Sequence, residues 1–108
     1  MGDLIQPTIE WEKRLADGDD LFTKENIRAA NKALDSFLKN LTQDSGLSEK
    51  DIKKYVKQVT LKLNKLNEKY DYFIETLERE ELCDYIMEAA GIAGLEFDGD
   101  ITEEWREW

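Results

Sequence analysis

The sequence contains no histidine, a single cysteine (Cys83) and a single proline (Pro7). Without an imidazole the chain lacks the usual general base near neutral pH, so Ser-His-Asp and Cys-His catalysis are excluded. One thiol can form no disulfide within the chain, and it cannot supply the several thiols or imidazoles of a structural zinc site. We therefore expect no enzymatic activity, no metal site and no cofactor.

Long apolar runs are also missing. No stretch approaches the roughly 20 residues that a membrane-spanning helix needs, and the N-terminus lacks the basic and apolar regions of a secretory signal. The 108 residues fit one helical domain, 1–108, in which 1–7 are expected to form a tail and 95–100 a linker. These features predict a cytoplasmic protein.

Positive charge is scarce except in one segment. The net charge is −10; residues 49–69 contribute +4 and residues 70–108 contribute −11. Such a chain repels nucleic acid and anionic membranes, so we expect neither as a partner, and a basic protein is the natural complement. The lysines of 49–69 fall around three sides of a helix, so we expect them to aid solubility and to pair with the acidic C-terminal third.

Apolar residues recur at helical spacing along most of the chain, which predicts an all-α protein. Thr23 and Ser48 are the expected N-caps of two helices. The expected architecture is an up-down bundle of three main helices, with short amphipathic helical pieces at both termini.

The longest pattern is a heptad seam of apolar and aromatic residues at positions 52, 56, 59, 63, 66, 70, 73 and 77. It predicts one helix that covers Ile52 to Leu77. The phase slips after Leu77, which favours a new helix capped by Thr76 over a bend at residues 78–81. The pattern leaves open whether the seam is filled within the chain or by a second copy.

Carboxylates offer one route to chemistry. Glu68, Asp71, Glu75 and Glu78 have the Glu-x-x-Asp and Glu-x-x-Glu spacing that all-helical magnesium-dependent nucleotide pyrophosphatases use, since Mg²⁺ binds carboxylates together with substrate phosphates. On one long helix these four residues would lie opposite the seam, which favours a solvated acidic face. A magnesium-dependent helical nucleotide phosphohydrolase is therefore kept as an alternative function.

Aromatic residues concentrate in the acidic C-terminal third, and Tyr and Trp dominate binding hot spots. We predict that the chain is a small acidic protein-binding module for a basic partner. In charge, size and helical content, though in no motif, it resembles small acidic helical inhibitors of bacterial toxic nucleases, which implies a stoichiometric inhibitor or immunity-type role. The predicted contact residues are Tyr72, Glu75, Glu78, Tyr85, Asp98, Asp100, Trp105 and Trp108.

A third hypothesis is a structural protein that associates with itself, as a homodimer or a larger assembly, through the heptad seam. It differs from the binding module in requiring that the seam be exposed on the single chain.

Overall fold

The structure is a computed structural model that describes residues 6–18, 22–43, 46–95 and 99–108. These residues form helices α1 (Thr8–Ala16), α2 (Lys24–Thr42), α3 (Glu49–Lys69) and α4 (Thr76–Ala93), followed by a turn at 101–105. No β-strand occurs in the described ranges, so the all-α prediction is confirmed. None of these helices combines the length and the apolar character that crossing a membrane requires.

Helices α2 and α3 begin where the sequence predicts. Thr23 Oγ1 accepts a hydrogen bond from the Asn26 amide at 3.1 Å, and the Asn26 side chain accepts one from the Thr23 amide at 2.9 Å. Ser48 and Asp51 form the same reciprocal pair at 3.2 and 3.4 Å. Both caps are confirmed, because each satisfies amides that the first helical turn leaves without intrahelical partners.

The predicted helix from Ile52 to Leu77 is wrong beyond Lys69, where α3 ends. Asn67 causes the chain to turn: its side-chain oxygen accepts the Ile74 amide at 2.9 Å, and its carbonyl accepts the Tyr72 amide at 2.6 Å. Phe73 nevertheless reaches the core from the turn, so the seam pattern continues after the helix has ended.

A separate helix does follow the slip in phase, as predicted, and residues 78–81 lie unbroken within it. Its N-cap is Glu75 rather than Thr76, and the Glu75 amide donates to Glu78 Oε1 at 3.2 Å. Leu77, the last residue of the predicted seam, is 53% exposed.

The core lies among α2, α3 and α4, which contact one another, while α1 packs against α2. The seam residues of α3 that face this core are at most 2% exposed: Ile52, Val56, Val59 and Leu63. These four seam positions are therefore filled within the chain, whereas Leu66 and Tyr70 are half-buried.

Trp11 ties the short helix α1 into the same core. Its side chain is fully buried, stacks on Phe22 with ring centroids 5.4 Å apart, and meets Phe73 edge-on at 5.9 Å. Aromatic pairs in these geometries contribute beyond the area that they bury.

A partly buried ion-pair network joins α1 to the first turns of α4. The Arg14 guanidinium lies 3.1 Å from Glu78 Oε2 and binds both oxygens of Glu81 at 2.8 Å, and Trp11 Nε1 donates to Glu81 at 3.2 Å. The hydrogen bond with Glu81 is the main reason that the pKa of Arg14 is raised. Glu78 is 3% exposed, so its predicted place on a solvated outer face is wrong.

Replacing Arg14 by methionine should leave the Glu78 carboxylate buried without its counter-ion. We expect the free energy of unfolding to fall by about 2 kcal/mol or more, because breaking a buried pair from one side exposes the full desolvation cost of the other charge. Urea denaturation followed by far-ultraviolet circular dichroism measures the change.

Arg28→Met, on an exposed arginine of α2, serves as the matched control. The double variant Arg14→Met with Glu78→Gln should recover part of the loss, since the neutral amide needs no counter-ion. Equal effects of Arg14→Met and Arg28→Met would contradict a structural role for the network.

Candidate functional site

The structure removes three of the predicted contact residues from the accessible surface. Glu78 and Tyr85 are each 3% exposed, and Trp108 is 9% exposed. Tyr85 follows Leu82 by three residues and therefore shares the inward side of α4. Burial raises the pKa of Tyr85 to about 12, because the phenolate would lose its hydration. Asp98 lies outside the described residues.

Tyr72 and Glu75 belong to the turn between α3 and α4, residues 70–75, which we name the Tyr72 turn. Two successive residues here have left-handed backbone angles, Asp71 with φ of 59° and Tyr72 with φ of 58°. This region is disfavoured for side chains that carry a Cβ, least so for aspartate and more so for a bulky tyrosine. The Tyr72 side chain is nonetheless 66% exposed, so no packing of its ring explains the conformation.

Buried side chains and backbone hydrogen bonds fix the Tyr72 turn on the core. Asn67 is 5% exposed and binds both the Tyr72 and the Ile74 amides. Phe73 and Ile74, the next two residues, are 1% and 6% exposed and anchor the turn in the core. An aromatic side chain that is fixed at its backbone loses little further freedom when it binds a partner.

Three acidic residues lie within four positions of Tyr72 in the sequence. Glu68, Asp71 and Glu75 are all exposed, on the last turn of α3 and in the Tyr72 turn itself. A basic residue is also near, since the Lys69 ammonium lies 5.3 Å from the centre of the half-buried Tyr70 ring. The turn thus combines an exposed aromatic side chain with exposed, mainly acidic neighbours in the sequence.

Asp100 and Trp105 lie in a second region, residues 99–105, which we name the C-terminal turn. Asp100 organises this turn. Its Oδ1 accepts hydrogen bonds from the Thr102 amide at 2.8 Å and the Thr102 hydroxyl at 2.5 Å, and its Oδ2 accepts one from the Arg106 guanidinium at 2.9 Å. Burial alone would raise the pKa of Asp100, but these hydrogen bonds and the Arg106 charge outweigh it and lower the pKa below its usual value.

Asn64 on α3 holds the C-terminal segment in place, a role that the sequence analysis missed. Its amide nitrogen donates to the Trp105 carbonyl at 2.8 Å, and its oxygen accepts the Glu107 amide at 2.9 Å. The Trp108 ring lies under the Arg106 guanidinium, 5.4 Å away. The only available signal was an asparagine next to the buried seam of a helix, which is weak by itself.

An open cavity of about 510 Å³ separates the C-terminal turn from the first half of α3. Its lining combines apolar and charged side chains: Lys53, Val56, Asp100, Ile101, Glu103, Glu104 and Trp105, together with Gly99. Trp105 is half-buried at one wall, whereas Glu103 and Glu104 are exposed.

Cys83, on α4, carries a half-buried thiol that contacts the C-terminal turn. Its sulfur lies 3.7 Å from Asp100 Oδ2 and 3.5 Å from Thr102 Oγ1. Burial raises the pKa of the Cys83 thiol, and the Asp100 charge adds to the effect. A thiol with a raised pKa is a poor nucleophile near neutral pH.

The predicted contact residues that stay exposed or half-buried lie in two different non-helical segments, Tyr72 with Glu75 in one and Asp100 with Trp105 in the other. Both segments are attached to the second half of α3, where Asn67 binds the Tyr72 amide and Asn64 binds the Trp105 carbonyl.

The magnesium hypothesis assumed that four carboxylates lie on one long helix, and the structure places them differently. Glu68 lies on α3, Asp71 and Glu75 lie in the Tyr72 turn, and Glu78 is bound to Arg14, so these carboxylates do not share one helical face. Within the described ranges, no three His, Cys, Asp or Glu residues are grouped closely enough to hold a metal ion.

No protein-family model, curated protein or solved structure matches this chain.

The left-handed backbone at Tyr72 predicts that glycine at this position gives a more stable protein than alanine does, which reverses their usual order of stability. Glycine normally destabilises by about 0.5–1 kcal/mol relative to alanine, but it adopts positive φ without steric cost. We expect Tyr72→Gly to have a higher free energy of unfolding than Tyr72→Ala, by up to about 1 kcal/mol. Both variants lose the same exposed ring. The difference between their free energies of unfolding, measured by chemical denaturation, therefore reports the strain of the backbone at position 72. Greater stability of the alanine variant would show that the backbone is unstrained.

The lowered pKa of Asp100 predicts a specific dependence of stability on acid. The pKa of Asp100 is lower in the folded than in the unfolded chain. Its contribution to the free energy of unfolding is therefore complete above the unfolded pKa near 3.8 and is lost as the pH falls through the folded pKa. Unfolding measured between about pH 6 and pH 2 should therefore show a smaller acid-induced loss for Asp100→Asn than for the unaltered chain. The exposed Asp84→Asn is the control, and an equal reduction in that variant would contradict the assignment.

Proposed function

We propose that this chain is a protein-binding module that recognises a basic partner through the Tyr72 turn. The observation that carries the proposal is Tyr72 itself: an aromatic side chain, 66% exposed, on a backbone with a disfavoured positive φ. Disfavoured backbone angles persist only where surrounding contacts impose them, and they concentrate at ligand clamps and binding sites.

The chemistry of the turn supports a basic partner. Tyrosine supplies a large contact area and a hydroxyl with only two rotatable side-chain bonds, and truncating such a hot spot typically costs at least about 2 kcal/mol of binding. Glu68, Asp71 and Glu75 would attract lysine or arginine side chains toward Tyr72. The net charge of −10 would raise the association rate with a basic protein at low salt.

The remaining helices serve this proposal as a scaffold. We take α2, α3 and α4 as the three main helices of an up-down bundle, supported by their mutual contacts and by the short connections between them. The proposed role is that of a stoichiometric, inhibitor or immunity-type protein in the cytoplasm. The small size, the acidic surface and an unreactive free thiol support it.

Site-specific photo-crosslinking tests the proposal directly. The full chain would carry p-benzoylphenylalanine in place of Tyr72, be exposed to lysate of its source organism, and be irradiated at low and moderate salt. We expect one crosslinked adduct with a basic protein, at a yield that falls as salt rises. The same crosslinker in place of Gln58, which is exposed on α3 about half the length of that helix from the turn, is the control and should give no such adduct.

A charge-reversal pair tests the acidic neighbours of Tyr72. Glu68→Lys with Glu75→Lys should slow association with the crosslinked partner at least several-fold at low salt, because the steering charges near the ring are reversed. Glu12→Lys with Glu104→Lys changes the net charge by the same amount at exposed sites elsewhere and should have a smaller effect. Identical adducts from positions 72 and 58, or equal rates for the two double variants, would refute the Tyr72 turn as the binding site.

A further inference from the structure

A groove lined by lysines crosses the outer side of the α2–α3 pair, which we name the lysine groove. It has a volume of about 360 Å³. Three lysines and four small or aliphatic residues line it: Ala29, Lys32, Ala33, Ser36, Lys62, Lys65 and Leu66. Small residues on α2 allow another helix to approach closely.

Within the described residues, no acidic side chain forms an ion pair with the lysines of this groove, Lys32, Lys62 and Lys65, although the sequence holds 25 acidic residues. The expectation that lysines of α3 pair with the acidic C-terminal third therefore fails for Lys62 and Lys65. A basic groove thus remains open on a strongly acidic protein.

The outer face of α4 has the complementary character, and we name it the acidic stripe. Glu80, Asp84 and Glu88 follow one another at intervals of four residues, so they line one side of the helix. All three are exposed, and no ion pair of theirs is seen in the described part of the chain. Two exposed aliphatic side chains, Leu77 at 53% and Ile92 at 55%, stand at the ends of the stripe.

The two surfaces face away from each other in one molecule. Successive residues of an α-helix are turned by about 100°, which places Asp84 opposite the buried side of α4 that carries Leu82 and Ile86. By the same rule, Ser36 is turned by about 100° from the buried Phe37, and Lys62 by the same angle from the buried Leu63. Both therefore lie on the outer side of the α2–α3 contact. The acidic stripe cannot reach the lysine groove of its own chain.

We infer that the lysine groove binds the acidic stripe of a second copy of this chain. The α2–α3 pair would then be covered by its own α4 on one side and by a neighbour's α4 on the other. Because the contact joins two different surfaces, it leaves a free groove at one end and a free stripe at the other. Such a heterologous contact repeats and builds rings or open chains rather than closed dimers.

The net charge of −10 does not prevent this association at physiological ionic strength. The screening length is then about 8 Å, so charges far from the contact barely interact, whereas ammonium and carboxylate groups in contact still attract. Both surfaces are separate from Tyr72, so the inference goes beyond the proposed function and does not depend on it.

Charge reversal of each surface, followed by mixing, tests the inference. The groove variant carries Lys32→Glu, Lys62→Glu and Lys65→Glu, and the stripe variant carries Glu80→Lys, Asp84→Lys and Glu88→Lys. In sedimentation velocity at about 0.15 M salt, the average sedimentation coefficient of the unaltered chain should rise with concentration up to about 1 mM. Each variant alone should stay a monomer, and an equimolar mixture should associate again, because every groove then meets a stripe of opposite charge.

Lys50→Glu, Lys54→Glu and Lys57→Glu form the matched control, with the same change of charge at exposed positions of α3 outside the groove. This control and Tyr72→Ala should both associate like the unaltered chain. Circular dichroism of each variant checks that the helices are intact. A monomeric unaltered chain at 1 mM, or a mixture of the two variants that stays monomeric, would overturn the inference.

Discussion

The buried carboxylate of Glu78 is the constraint on which the side-chain link between α1 and α4 depends. A charge at 3% exposure is tolerated only with a counter-ion and satisfied hydrogen bonds, and Arg14 and the Glu75 amide supply these. Arg14 must therefore remain where α1 places it, with Trp11 beside it in the core. The short first helix is in this way an integral part of the domain, although its nine residues would be marginal as an isolated helix.

Two asparagines of α3 determine where the non-helical segments lie. Asn64 and Asn67 are 8% and 5% exposed, one turn apart, and each binds backbone groups of a distant segment. Asn67 fixes the Tyr72 turn, and Asn64 fixes the segment that carries Trp105. Both candidate surfaces are thus positioned by polar side chains at the edge of the apolar core, where a buried amide must find partners.

Periodicity and capping residues are local signals, and they predicted the helical class and the starts of α2 and α3 correctly. They failed where a side-chain contact outside the helical spacing decided the structure. The end of α3 depends on Asn67 binding Ile74, and the seam pattern could not reveal it, because Phe73 is buried whether it lies on a helix or in a turn. Glu78 was placed in solvent because the rule for charged helical residues does not include an arginine 64 positions away. Tyr85 was misplaced because an aromatic residue among acids suits an interface and a core equally well.

The attachment of the C-terminal segment through Asn64 has a consequence for the intrinsic fluorescence of this protein. Residues 99–108 contain no α-helix, yet they are part of the core: Asn64 binds their backbone, and Ile101 and Trp108 are buried. Two of the three tryptophans, Trp105 and Trp108, lie in this segment, whereas Trp11 lies between Phe22 and Phe73. Intrinsic fluorescence therefore reports on two parts of one core, the attachment of the C-terminal segment and the contact of α1 with Phe73.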